Sequence, residues 1–301
     1  MTLKGIIPPI GTPLTADERV DEKGLRRLVR YLLAAGVHGI FANGTMSGFA
    51  LLTDSEQLRS VEIVVSEVDR RVPVIAGVSD TGTKRVIEKA KQIQKLDVDY
   101  LTTVPPFYFN LTQESASRFF SEVAEAVEKP LLIYNNPYLA HFNLSVDSIV
   151  ALSQEPNIAG IKETNQDCAR WAEMISSLRG NNDFSILVGT ELLIPIGLML
   201  GAHGAIGGAH NFAPKIAVDL YAAAREGNYD KAFELSDRLR KLCKIFELAE
   251  VWGAFEVALQ YLGIVEKVAA SPFRGATAAE REKVENILRE AGLEPLKAQL
   301  T

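Results

Sequence analysis

The sequence predicts a (β/α)8 barrel on three observations. Short β-rich runs alternate with longer segments whose apolar residues recur at helical spacing, the pattern of a parallel α/β fold. Eight such units fill about 220 residues, close to the ~250 residues of a typical barrel. Polar, glycine-rich clusters follow many of the runs, and no unit carries a GxGxxG turn after its first strand. A barrel gathers all such loops on one face, which a doubly wound open sheet does not.

Strands are expected at 5–10, 39–43, 72–77, 100–104, 131–134, 158–162, 185–189 and 205–207. In the first helix Leu25, Leu28, Val29, Leu32 and Leu33 form one apolar stripe; in the fourth, Ala116, Phe119, Phe120, Val123, Ala124 and Val127 form another. Thr53 with Glu56, and Thr277 with Glu280, have the form of capping boxes and mark helix starts. From about Ala217 onward only helical periods remain, such as Val284, Ile287, Leu288 and Ala291. Residues 1–220 therefore form the catalytic barrel and 221–301 a helical C-terminal extension packed against it.

Composition narrows the function. With 47% apolar and 23% charged residues in 301, the chain has ample material for a core and is neither disordered nor fibrous. Its 32 basic and 38 acidic residues give a net charge of −6, and no Lys/Arg block is present to neutralise a run of phosphates. Nucleic acid is thus excluded as a partner. The apolar stretch 192–200 falls well short of the ~20 residues that span a bilayer, so no membrane association is expected. The start of the chain lacks a basic segment leading into an apolar run, which points to a cytoplasmic protein. Cys168 and Cys243 have no CxxC spacing, and His203 and His210 flank a strand without a carboxylate on a shared face, so no metal site is expected.

Lys162 is the most informative residue. It ends the apolar run Asn157-Ile-Ala-Gly-Ile-Lys162, and a lysine finishing a barrel strand faces the catalytic mouth. Burial among apolar neighbours disfavours its ammonium form and makes an amine able to attack a carbonyl accessible. The bland alternative is a lysine that snorkels out of the barrel or pairs with Glu163. Tyr134 closes the fifth strand, adjacent to the sixth, so a phenol able to move protons falls within reach of Lys162. Alone, such a tyrosine more often fills the barrel and ties its hydroxyl to backbone. After the second strand, Asn43-Gly-Thr-Met-Ser-Gly48 offers amides and the hydroxyls of Thr45 and Ser47 to an anion, although most Gly/Ser/Thr loops are only turns. The glycines in Gly201-Ala-His-Gly-Ala-Ile-Gly-Gly-Ala-His-Asn211 permit either close ligand approach or tight barrel packing.

Taken together, these residues resemble the pyruvate-dependent class I aldolases and lyases typified by dihydrodipicolinate synthase and N-acetylneuraminate lyase. The likeness runs from Ile7-Pro-Pro-Ile-Gly-Thr-Pro13 to Ser271-Pro-Phe-Arg274. It includes Gly160-Ile-Lys-Glu-Thr164, Tyr134-Asn-Asn-Pro137, Pro106-Phe-Tyr108 and Gly204-Ala-Ile-Gly207. The resemblance implies a barrel with a helical tail, a homotetramer built as a dimer of dimers, and no metal or organic cofactor. It implies Lys162 as the Schiff-base nucleophile toward pyruvate or another 2-oxo acid, Tyr134 as proton shuttle, and Thr45 with the amides around Met46 as carboxylate holders. Tyr108 matches an aromatic that in some members reaches a neighbouring active site. Ser47, Leu139, Thr164, Glu191, Ile206, Gly208 and His210 complete the implied substrate-binding set.

Departures from the family pattern point to the substrate. The usual Gly-Thr-Thr-Gly-Glu loop reads Gly44-Thr-Met-Ser-Gly48 here, losing one hydroxyl at Met46 and a glutamate at Gly48. Dihydrodipicolinate synthases carry an arginine two residues past the proline of the tyrosine motif, where this chain has Leu139. The carboxylate of aspartate semialdehyde would lie there against an apolar side chain. Sialic acid is disfavoured as well: Glu191 keeps one of two acidic residues, Gly208 replaces a serine and His210 a tyrosine. Glu191, His210, Asn211, Thr164 and His141 suit a shorter hydroxylated chain. The expected function is cleavage or dehydration of a 2-keto-3-deoxy sugar acid. The alternatives are 4-hydroxy-tetrahydrodipicolinate synthase and, motivated by the altered loop, a catalytically inactive ligand-binding member.

Overall fold

The computed structural model describes residues 2–296. Eight parallel strands form one curled sheet: β1 (Gly5–Ile6), β2 (Ile40–Ala42), β3 (Val74–Gly77), β4 (Tyr100–Thr103), β5 (Leu131–Asn135), β6 (Ile158–Glu163), β7 (Ser185–Val188) and β8 (Gly204–Ala205). Their order is β1-β8-β7-β6-β5-β4-β3-β2. The remaining seam, between β1 and β2, is joined by the parallel bridge Pro9 to Phe41. There Phe41 N–H donates to Pro8 O at 2.9 Å and Ile10 N–H to Phe41 O at 2.8 Å. The sheet closes as a (β/α)8 barrel requires.

The first strand is shorter than the expected 5–10 because Pro8 and Pro9 have no N–H to give to a ladder. The last strand begins a residue earlier than expected, at Gly204. A Cβ at that position would sit 2.1 Å from Gly5 O, so glycine is what lets β1 and β8 approach. This glycine of the 201–211 cluster serves barrel packing.

Alternation along the strands divides the apolar residues into two cores. Phe41, Ile75, Leu132, Tyr134, Leu187 and Ile206 point inward and fill the barrel. Their neighbours Ile40, Val74, Leu131, Ile133, Ile161 and Ile186 point outward and bury the helix stripes. Helix Glu22–Ala34, capped by Asp21, buries Leu25, Leu28, Val29 and Leu32 as the period requires. Helix Gln113–Ala126 buries Ala116, Phe119, Phe120, Val123 and Ala124, while Val127 turns extended and ends it. The Thr277–Glu280 capping box is complete. The Thr53 box is half made: Thr53 accepts from Glu56 N–H, but the Glu56 carboxylate accepts from Val20 N–H at 2.6 Å instead of reaching back.

After β8, the described chain is helical: Pro214–Arg225, Tyr229–Cys243, Val251–Tyr261 and Ala278–Glu290 are its α-helices. The first of these runs across residue 220, so no element boundary falls there. Residues 297–301 of the expected extension lie outside the described residues. Among the described residues, no helix is long and apolar enough to cross a membrane.

Candidate active site

Strand register sets the centre of the site. Tyr134 in β5 pairs with Lys162 in β6, and the next pair is Asn135 with Glu163. Side chains alternate across a strand, so the first pair enters the barrel and the second faces the helices. Lys162 Nζ lies 4.0 Å from the centroid of the Tyr134 ring and 5.3 Å from that of Phe41. The lysine is 5% exposed. Among the described residues, no carboxylate lies within ion-pair distance of it.

Glu163, the ion-pair partner a structural lysine would take, is engaged on the opposite face. Asn135 Nδ2 donates to its two carboxylate oxygens at 2.8 and 3.0 Å. Asn165 N–H donates to Oε1 at 2.7 Å, and Arg170 pairs with Oε2 at 3.1 Å. Burial pushes the Glu163 carboxyl above its ordinary range, against the opposing charge of Arg170. This network joins the ends of β5 and β6, the strands that carry Tyr134 and Lys162. Arg170→Ala strands a fully buried carboxyl group, and is expected to destabilise the fold by about 3–5 kcal/mol. Urea denaturation checks this; a loss below about 1 kcal/mol would show that the network only decorates the strand ends.

The Tyr134 phenol is buried and hydrogen-bonded. Its oxygen lies 3.1 Å from Thr45 Oγ1 and accepts from Asn136 Nδ2 at 3.2 Å. Burial alone would raise its pKa. The Lys162 charge and hydrogen bonds from Lys162, Thr45 and Asn136 outweigh burial, and the net shift is downward. Thr45 reaches the phenol because the turn Thr45–Ser47 follows directly on β2 at the barrel mouth.

The other expected residues divide into those at the mouth and those elsewhere. Ser47 is buried with its hydroxyl donating to Ile10 O at 2.6 Å and accepting from Gly44 N–H at 3.2 Å. It ties the turn to the barrel instead of offering a donor to an anion. Tyr108 is 77% exposed and stacks edge-on against Phe109, so within its own chain it does not line the mouth. Ile206 belongs to the inner core beside Tyr134. Leu139 and Met46 line an open cleft over the mouth. Gly208 lies beneath Met46, where an added Cβ would come within 3.2 Å of Sδ. The departures at 46 and 208 are therefore one exchange of volume: the methionine fills space that a side chain at 208 would need.

Glu191 Oε1 accepts from Ala209 N–H at 2.6 Å and so braces the turn after β8. His210 is fully buried, and its Nδ1 accepts from Gly207 N–H at 3.1 Å. Burial pushes its pKa down to about 3, aided by the Lys162 charge, which keeps the ring neutral with its hydrogen on Nε2. That Nε2, Thr164 Oγ1 and Asn136 Oδ1 are buried without a hydrogen-bond partner. Unpartnered buried polar atoms are uncommon, and these three keep unused hydrogen-bonding capacity.

Sequence reasoning missed four residues of this region. Asn136 sits within the recognised tyrosine motif, and the signal was the second asparagine after Tyr134. Phe107, Trp252 and Phe273 line the cleft, the last two from far along the chain. Phe273 sits within the recognised Ser271-Pro-Phe-Arg274 segment, whereas nothing in the local sequence of residue 252 marks it as facing the mouth.

The chain as a whole has known relatives. The dihydrodipicolinate synthetase family model matches residues 2–291. The 4-hydroxy-tetrahydrodipicolinate synthase of Methanopyrus kandleri is 33% identical over 97% of this chain and 98% of its own. The probable 2-dehydro-3-deoxy-D-pentonate aldolase YjhH of Escherichia coli is 29% identical over 97% of this chain and 98% of its own. The crystal structure of E. coli YagE in complex with pyruvate superposes with a TM-score of 0.93 at 29% identity, covering 97% of this chain and 100% of that one. With matched length, matched fold and a family pattern spanning nearly every described element, this chain belongs to the dihydrodipicolinate synthetase family.

Proposed function

We propose that this chain is a Schiff-base-forming class I lyase that acts on pyruvate and 2-oxo acids in the manner of a 2-keto-3-deoxy sugar acid aldolase or dehydratase. The observation that carries the reading is Lys162 Nζ seated 4.0 Å from the Tyr134 ring centroid, in a barrel mouth where, among the described residues, no carboxylate claims it. Nζ attacks C2 of the 2-oxo acid, the carbinolamine loses water, and the iminium formed draws electrons from C3. In the synthetic direction C3 loses a proton to give the enamine. Its C3 then bonds to an aldehyde carbon, whose oxygen takes a proton. One water hydrolyses the iminium, releasing the 4-hydroxy-2-oxo acid and Lys162; cleavage is the reverse. Tyr134, hydrogen-bonded to Thr45, moves the protons at C2. Thr45 and the amides of its turn hold the carboxylate, and the unpartnered Thr164 Oγ1 and His210 Nε2 receive the substrate's oxygen atoms near C4. The name carried by YjhH, a probable 3-deoxy sugar acid aldolase, supports the bond type.

Borohydride reduction in the presence of pyruvate, followed by peptide mass spectrometry, tests this reading. An adduct on Lys162 supports it. No adduct would leave the chain an inactive ligand-binding member.

Lysine-pathway synthesis is the competing reading, supported by the name of the M. kandleri relative. Leu139 opposes it, since it supplies no charge at the cleft for the second carboxylate of aspartate semialdehyde. Leu139→Arg is expected to raise the condensation of pyruvate with aspartate semialdehyde by about 10-fold or more, the scale of one charge-assisted pair. Coupled absorbance assays check it, and high activity in the unaltered chain would favour the synthase.

Within the same proposal the protein is a cytoplasmic homotetramer, a dimer of dimers, with the catalytic barrel in 1–220 and a helical extension from 221 onward. The exposed Tyr108 and Phe109, and the exposed Leu192, Met199 and Leu200, support burial against partner subunits. Sedimentation velocity tests the assembly.

A further inference from the structure

Two asparagines follow Tyr134, and the chain turns them to opposite sides. Pro137 holds the residue before it in extended geometry, here at φ −132° and ψ 83°, so the alternation of β5 runs one residue past its end. Asn135 faces the helices, and Asn136 returns to the side of the phenol. Asn135 uses both ends of its amide in the fold: Nδ2 donates to Glu163 at 2.8 Å, and Oδ1 accepts from Leu144 N–H at 3.1 Å. Asn136 does not. It is 4% exposed, its Nδ2 donates to the Tyr134 oxygen at 3.2 Å, and its Oδ1 has no hydrogen-bond partner among the described residues. The helix that starts at Pro137 takes no cap from this side chain, because the Asn136 backbone oxygen accepts from Leu139 and Ala140 N–H. A buried amide with one end unpaired weakens the fold, so its use lies in the one bond it makes.

The phenol oxygen has three polar neighbours. Thr45 Oγ1, at 3.1 Å, gives or takes a hydrogen. The Lys162 nitrogen is cationic as ammonium and as iminium, and neutral as the attacking amine and in the carbinolamine, so its pull on the oxygen comes and goes. A carboxamide nitrogen only donates. We propose that Asn136 is a positioning residue for Tyr134, the neighbour that donates to the phenol oxygen at every stage and stabilises the phenolate each time the proton leaves. The inference rests on the Schiff-base reading and adds to it the group that supports its proton carrier. When the carbinolamine loses water, the phenol's proton passes to the departing hydroxyl. The C2–O bond breaks, the nitrogen lone pair completes the iminium, and a phenolate remains beside it. The nitrogen is neutral when that transfer begins, so the Lys162 charge is absent at that moment and the Asn136 bond is present. Because Nδ2 occupies one lone pair, the hydroxyl hydrogen points away from Asn136, toward Thr45 and the lysine nitrogen. Lys162 is the charged group acting on the phenol, and His210, the titratable group near that charge, is kept neutral by burial.

The test follows exchange of the C3 hydrogens of pyruvate for deuterium by NMR, which requires the iminium and no second substrate, in the full-length protein. Borohydride trapping with pyruvate is run beside it. In Asn136→Leu, a side chain of similar size without a donor, kcat for exchange is expected to fall about 10-fold, the scale of one hydrogen bond to a charged oxygen. KM for pyruvate should stay within about 2-fold, since no ground-state contact is removed. The alkaline limb of kcat/KM moves to higher pH, because a donor that favours the phenolate is gone. The urea midpoint stays near that of the unaltered protein, as the bond lost is offset by removal of the unpaired Oδ1. Asn136→Asp keeps the shape, replaces the donor with a carboxylate and also moves the limb up; it decides the matter if Asn136→Leu does not fold. A limb that stays in place or moves down in the folded variant overturns the role of Asn136, and trapping on Lys162 then leaves the lyase standing. Neither trapping nor exchange in the unaltered protein overturns both.

Discussion

Lys162→Ala abolishes borohydride-dependent capture of pyruvate and lowers kcat on the order of 10⁴-fold or more, the scale reached when a covalent nucleophile is removed. The loss should be one of chemistry and not of folding. Lys162 makes no ion pair within the described residues, so its truncation strands no charge, and Tyr134 keeps its bonds to Thr45 and Asn136. Circular dichroism and urea midpoint near those of the unaltered protein, with turnover absent, are the expected pair of results. Lys162→Arg separates charge from nucleophilicity, because the guanidinium keeps the cation and cannot form the iminium. Turnover retained above a tenth in either variant would sink the Schiff-base mechanism.

Tyr134→Phe lowers kcat by about 10²–10⁴-fold, the usual worth of a positioned proton donor. Pyruvate should still be trapped on Lys162 over longer times, since the nucleophile remains and only proton movement at C2 is slowed. The phenol also sets a pH limit. The Lys162 charge and the Thr45 and Asn136 hydrogen bonds hold its pKa below the ordinary tyrosine value of 10.0, so activity that needs its proton falls on an alkaline limb below that value. Those hydrogen bonds favour the phenolate. Removing one by Thr45→Val therefore raises the phenol's pKa and moves the limb to higher pH, even as the rate drops. A pH–rate profile checks the sign, and a limb that shifts downward would separate Thr45 from the phenol.

The proposed catalytic pair was legible early because it is carried by strand periodicity and by a strong motif. An apolar run ending in Lys162 and another ending in Tyr134 become neighbours once consecutive strands pair in parallel, and the observed register places them directly opposite. The roles of single polar residues were less legible. Ser47 reads as a free hydroxyl in the sequence, but the turn that brings Thr45 to the phenol directs Ser47 into Ile10 O. Tyr108 and Phe107 are adjacent, and only the path of the loop after β4 decides which lines the cleft.

From its sequence alone this protein is a parallel barrel with a lysine and a tyrosine at its mouth, because alternation along strands, helical period and local motifs are properties of short segments. The tertiary structure decided the rest. Met46 and Gly208 read as two separate losses until packing shows one side chain occupying the space of the other. The walls of the cleft join residues from 49 to 273, and no local pattern encodes a surface assembled across that separation. Their character depends on which side chains the closed barrel and its C-terminal helices leave facing one another, which is a matter of three-dimensional packing and burial.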